Sequence, residues 1–155
     1  MVRFIYKVGK NMKRNLLAIV ILITCFLLTG CLNNKKAITY TTFNETFKNN
    51  KDYLIINQTI KYEDKFERCL EANGNNTQFL YYEFKTEKQA KKYLKDNYQG
   101  RKKYRYLEGK TYTTVKCTDN MYFYAVQIDK SVVVGNSPKK SNKKEIKKIF
   151  KELGY

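Results

Sequence analysis

"MYFYAVQIDKSVVVGN", Met121 to Asn136, is the stretch on which the architecture turns. Two runs of aromatic and β-branched residues, Met121 to Ile128 and Ser131 to Asn136, are joined by Asp129-Lys130 alone. So short a link between strand-like runs sends the chain straight back, which makes the pair an antiparallel hairpin. "TYTTVKCT", Thr111 to Thr118, precedes it across the short turn Asp119-Asn120 and extends the hairpin into a meander.

Further back, "QFLYYEFK" from Gln78 to Lys85 is a strong strand and "FERCLEA" from Phe66 to Ala72 a moderate one. Asn73-Gly74-Asn75-Asn76 between them is a hairpin signal. "DYLIINQT", centred on Tyr53 to Thr59, is a weak strand. Three segments have helical spacing. "TTFNETFKNN" opens with Thr42 and Glu45, and "TEKQAKKYLKDNY" with Thr86 and Gln89. Both fit a capping box, in which side chains at the two ends of the first turn satisfy free backbone N–H groups. "SNKKEIKKIFKELGY" offers Asn142 and Glu145 as a similar start, an apolar stripe of Ile146, Ile149, Phe150 and Leu153, and Gly154 as a left-handed stop. The expected fold is α+β, a single small domain over residues 40–155. It has an antiparallel sheet of about five strands and about three helices, in the order α-(β)-β-β-α-β-β-β-α. Leu80, Tyr82 and Phe84 oppose Phe79 and Tyr81 across one strand, so helices are expected to cover one side of the sheet.

The amino-terminal segment is of another kind. Arg3, Lys7, Lys10, Lys13 and Arg14 precede the uncharged run Leu16 to Leu28. A membrane span needs roughly 20 apolar residues, but a signal-peptide core only about 7 to 15 behind a positive leader. The run ends in Leu28-Thr29-Gly30-Cys31, which resembles the lipobox of bacterial lipoproteins. The resemblance implies that the Cys31 sulfur is alkylated with a diacylglyceryl group and that a signal peptidase cuts between Gly30 and Cys31. Residues 1–30 are then a signal peptide and residues 31–39 a polar tether. One acyl chain binds a bilayer with a constant of only about 10⁴ M⁻¹, whereas two give lasting attachment. Met12 is an alternative start that leaves the mature chain unchanged.

Five of the 31 Lys and Arg and none of the 14 acids precede Cys31, which leaves the mature chain a net charge of +12. For an exported chain the available polyanions are phospholipid headgroups and wall polymers rather than nucleic acid, and AT-rich codon usage also enriches lysine and asparagine. The run "QGRKKYRYLEGK", with Arg101, Lys102, Lys103 and Arg105 among Tyr98, Tyr104 and Tyr106, reads as a solvated loop flanking a strand. Lys143, Lys144, Lys147, Lys148 and Lys151 form the wet face of a packed helix.

The chain holds no histidine, which removes Ser-His-Asp and Cys-His chemistry and the commonest transition-metal ligand. No cofactor motif is present. Glu63, Asp64, Glu67 and Glu71 cluster, but among Lys61, Lys65 and Arg68 at charge-pair spacing, as on a solvated surface. Cys69 and Cys117 each fall in an expected strand. Outside the cytoplasm they make a candidate disulfide worth roughly 4 kcal/mol on loop entropy; two free buried thiols are the alternative.

"FLYYEFKTEKQAKKYL", "MYFYAVQIDKSVVV", the Phe43/Phe47 first helix and the closing "IKKIFKELGY" also resemble small lipoproteins of clostridia and related low-GC Gram-positive bacteria. That resemblance implies an exported α+β domain and no functional residues. The expected protein is anchored on the outer face of the cell membrane as a non-enzymatic binding or accessory domain. Its expected contacts are the membrane, through its lipid, and an anionic envelope polymer or a protein. The alternative is an envelope-acting hydrolase that uses carboxylates without histidine. A pocket with two carboxylates and aromatic walls would mark the enzyme.

Overall fold

The computed structural model describes residues 35–155 except Thr118. Gly30 and Cys31, and with them the expected cleavage and lipidation, lie outside the described residues. Lys35–Tyr155 is one compact unit. Its elements are α1 (Tyr40–Lys48), β1 (Leu54–Asn57), a 3₁₀ turn (Ile60–Tyr62), β2 (Arg68–Asn73), β3 (Gln78–Glu83) and α2 (Glu87–Tyr98). Then come β4 (Tyr104–Glu108), β5 (Thr113–Cys117), β6 (Tyr122–Ile128), β7 (Ser131–Ser137), a second 3₁₀ turn (Lys140–Asn142) and α3 (Lys143–Glu152). The α+β class, the three helices and the antiparallel sheet are as expected, but the sheet has seven strands, not five. Part of the difference is β4, which lies inside the basic run read as a loop. There Tyr104 and Tyr106 alternate with Arg105 and Leu107, a period of two masked by the density of charge.

All neighbouring strands are antiparallel, in the order β1-β2-β3-β7-β6-β5-β4. The hairpin turn at Asp129 takes a left-handed φ of 49°, which Asp tolerates better than most residues. Helices cover both faces rather than one. On face A, α1 and α3 pack over Phe79, Tyr81, Val126 and Val133; on face B, α2 packs over Val115, Ala125, Val132 and Val134. A strand whose alternating side chains are large and apolar on both sides exposes a greasy surface unless both sides are covered, and β3 and β7 are such strands. Gly135 of β7 makes the close approach of α3 possible. A Cβ there would stand 2.7 Å from Phe150 and 2.9 Å from both Ile146 and Phe79.

Helix ends follow local chemistry in one case and shift in two. Thr86 and Gln89 form the expected capping box at α2. At α1 the cap is Thr39, not Thr42: the Thr39 hydroxyl accepts from Thr42 N at 3.1 Å, while Ile38 is buried just before it. Ile38 and Ala37 therefore pack on the core, so the ordered unit reaches into the expected tether. Asn142 makes no cap bond; its amide donates to Ser137 Oγ and Asn76 O instead. Gly154, at φ 87°, closes the last turn as expected.

Cys69 and Cys117 are free. Cys69 is on β2 and Cys117 on β5, with β3, β7 and β6 between them. At about 4.8 Å per strand the two are roughly 19 Å apart, far beyond bridging distance. Of the two readings of this pair, the sheet supports the free thiols. Burial, with the nearby Glu71 charge, pushes the Cys69 thiol up to about 11.

Two outcomes follow from this packing. Gly135→Ala forces α3 off the sheet and lowers unfolding free energy by about 1–3 kcal/mol in urea titrations; an unchanged midpoint contradicts the close approach. Native alkylation at pH 8 modifies Cys117 well before the buried Cys69, and reduction leaves the mobility of the protein unchanged.

Candidate functional site

α2 lies over the β4–β7 half of face B, which leaves the β2–β3 part of that face open beside it. A recess of about 380 Å³ forms there. Its rim comes from the segment after β1, which is clamped to β2: Cys69 N donates to Thr59 Oγ1 at 3.0 Å and Gln58 N to Cys69 O at 2.9 Å. Asn57 helps by accepting from Thr59 N at 2.9 Å, an Asx turn. This clamp holds Gln58 over Glu71 and carries the chain into Tyr62 and Phe66.

The recess has an aromatic end and a polar end. Phe66 stacks on Tyr82 with centroids 4.6 Å apart and meets the Tyr93 ring edge-on at 5.9 Å, while Tyr62 stands beside it at 6.2 Å. Burial, with the neighbouring Tyr93, raises the Tyr82 pKa, so this end stays neutral. At the polar end Glu71 accepts three amide N–H bonds: from Gln58 at 3.1 Å, Asn73 at 2.9 Å and Gln78 at 2.6 Å. Asn136 of β7 donates in turn to Gln78 Oε1 at 2.9 Å. Burial pushes the Glu71 carboxyl up, but the amides of Asn73, Gln58 and Gln78 and the charge of Lys61 together outweigh it and hold the pKa below the ordinary glutamate value. Glu71 is therefore an ionised acceptor at neutral pH and not a proton donor.

The acid cluster of the sequence is dispersed. Glu63 and Asp64 are exposed, Glu67 pairs with Lys130 at 3.3 Å, and Glu71 alone enters the recess. Asp52 and Glu145 do line one hollow of about 400 Å³, with Asn75, Asn76 and Asn142 and no aromatic wall. There Glu145 accepts from the Tyr53 hydroxyl at 2.6 Å and the Thr77 hydroxyl at 3.0 Å, a tie between α3 and the first hairpin. Two carboxylates and aromatic walls thus occur in different places. Among the described residues no group of three or more His, Cys, Asp or Glu is placed to hold a metal, and no helix is long and apolar enough to cross a membrane.

Face A carries the opposite chemistry. A cleft of about 290 Å³ between α3 and strands β5 and β6 has a floor of Tyr122, Tyr124, Phe150 and Tyr155. Lys35, Lys116, Lys147 and Lys151 surround it, and among the described residues no Asp or Glu side chain lines it. The expected wet lysine face of α3 is present, with Ile146, Ile149 and Phe150 buried beneath it. The basic run is divided: Arg105 points to face A while Lys103 pairs with Asp119.

Gln58 and Gln78 line the recess and Asn136 braces Gln78 from β7, and no sequence motif marks any of the three. The signal that could have found part of the site is strand alternation in "RCLEAN" and "QFLYYE", which puts Cys69, Glu71, Gln78 and Leu80 on one face. No protein-family model matches the chain, and no curated protein matches it.

The folded Glu71 carboxyl titrates below the unfolded one, so its amide network contributes fully above about pH 4.3 and is lost as pH falls through the lower folded value. Chemical denaturation from pH 7 to 2.5 is expected to show Glu71→Gln less stable than wild type at neutral pH, with the gap closing below pH 4. A pH-independent gap contradicts the network.

Proposed function

We propose that the protein is a lipid-anchored, non-enzymatic binding domain on the outer face of the membrane, and that it takes a neutral saccharide in the face B recess. The recess itself carries the reading. Tyrosine rings offer flat apolar surfaces on which a pyranose ring stacks, and Gln58, Glu71 and Gln78 offer alternating donors and acceptors for hydroxyl groups, held in place before binding. Charge supports a neutral ligand. The ionised Glu71 disfavours anions, and Lys61 and Lys65 already stand 5.3 and 6.0 Å from the Tyr62 ring, where a ligand cation would sit.

The hydrolase alternative is less well supported. Glycoside cleavage needs two carboxyl groups about 5–9.5 Å apart, one of them a proton donor. The recess offers one, held ionised. The anchor follows from the lipobox, Leu28 to Cys31.

Calorimetric titration with chitotriose and maltotriose is expected to show saturable binding of at least one, weakened at least about tenfold by Tyr62→Ala with folding intact. Failure of both sugars to bind, or equal affinity in the variant, rejects the recess. Mass spectrometry of the membrane fraction reads the anchor separately: the expected chain begins at diacylated Cys31, and an intact leader rejects lipidation.

A further inference from the structure

Six cations lie on face A without an acidic side chain paired to them among the described residues. Lys143, Lys147 and Lys151 are spaced four apart on α3 and so form one stripe. Arg105 and Lys116 stand directly opposite each other in the β4–β5 register, and Lys35 lines the same cleft as Lys116. None of the six belongs to an ion pair among the described residues. Like charges directly opposite on a sheet destabilise it, so the Arg105–Lys116 pair costs folding energy that an external anion would return.

The same face backs its cations with aromatic rings. Tyr122 and Tyr124 lie under Lys143 and Lys116 at 6.0 and 5.3 Å, and Leu107 on the neighbouring edge strand is 46% exposed. Tyr122 is buried and Tyr124 packs on the core, so the rings support these lysines from beneath and leave the ammonium groups outermost, where a headgroup phosphate can meet them.

The position of the anchor selects the anion. An extended chain covers at most about 3.6 Å per residue, so the four steps from Cys31 to Lys35 keep the Cα of Cys31 within roughly 14 Å of the Cα of Lys35, a residue of the cleft rim, whatever path the chain takes. We infer that face A is a docking surface for anionic phospholipid headgroups, on which the domain lies with its lysine cleft against the bilayer and its face B recess turned away from it. This rests on the lipid-anchor reading for its geometry. A doubly acylated residue and a basic patch then act together, the patch fixing orientation where the lipid fixes attachment.

The test uses the mature chain from residue 31 carrying Cys31→Ser, which holds every described residue and no lipid. Co-sedimentation is measured with phosphatidylcholine vesicles, alone or with 30% phosphatidylglycerol. Binding is expected only to the anionic vesicles, and it weakens as salt rises. The variant Lys116→Gln/Lys147→Gln/Lys151→Gln should bind at least about tenfold more weakly, and Lys88→Gln/Lys92→Gln/Lys95→Gln on α2 within twofold of wild type, circular dichroism confirming that both fold. Equal losses in the two variants, binding to neutral vesicles, absence of binding, or stronger binding to soluble polyglycerol phosphate than to the anionic vesicles each overturns the assignment. Because no lipid is attached, failure here is separate from failure of the lipidation reading, which the mass of the membrane form decides.

Discussion

The pairing of β3 with β7 is the constraint on which the molecule depends. Six residue pairs, from Gln78↔Asn136 to Glu83↔Ser131, join the first hairpin to the end of the meander and make one sheet of two distant parts of the chain. Both strands become central, and both need cover on both faces. α1 and α3 supply it on face A, α2 on face B, and Gly135 lets α3 come close enough to bury Phe150 against Phe79. The same pairing sets Asn136 beside Gln78 and so completes the amide row of the recess.

With three helices over seven strands, cover is incomplete, and where it stops the two faces differ. On face B the uncovered ground near β1 to β3 is polar, aromatic and close to electrically balanced. On face A the uncovered ground near β4 and β5 carries Arg105 and Lys116, with Lys35, Lys147 and Lys151 around the cleft beside them. The difference follows from strand alternation. Residues of β2 and β3 that face the recess are Cys69, Glu71, Gln78, Leu80 and Tyr82, whereas Arg105, Leu107 and Lys116 face the other way from β4 and β5. On the proposed reading a bilayer takes one side and a sugar the other, with the basic patch fixing which side is down.

Much of the fold was legible because it depends on local signals. The Asp129-Lys130 turn and the Thr86–Gln89 box each act within a few residues and stand where the sequence puts them, while the first hairpin turns one residue later than expected, at Gly74 to Thr77, because Asn73 still pairs with Gln78. β4 was hidden because its alternation is written in tyrosine and arginine, which composition reads as a charged loop. The α1 cap moved because burial of Ile38 and an extended Thr39 outweigh the Thr42–Glu45 pattern. The recess is the least legible part: Gln58, Glu71, Gln78 and Asn136 meet only through strand register, and no spacing along the chain announces them. The distance between Cys69 and Cys117 likewise follows from strand order, which local sequence does not contain.

The central claim is that the two faces of the sheet have separate partners, with face A toward the lipid. Hydrogen exchange of the lipidated protein on vesicles containing phosphatidylglycerol, compared with the same chain unlipidated in solution, tests it most directly. The account predicts added protection in β5, the β5–β6 turn and α3, and unchanged exchange from Gln58 to Tyr82. Protection centred on the recess, or no difference between the two states, would contradict it.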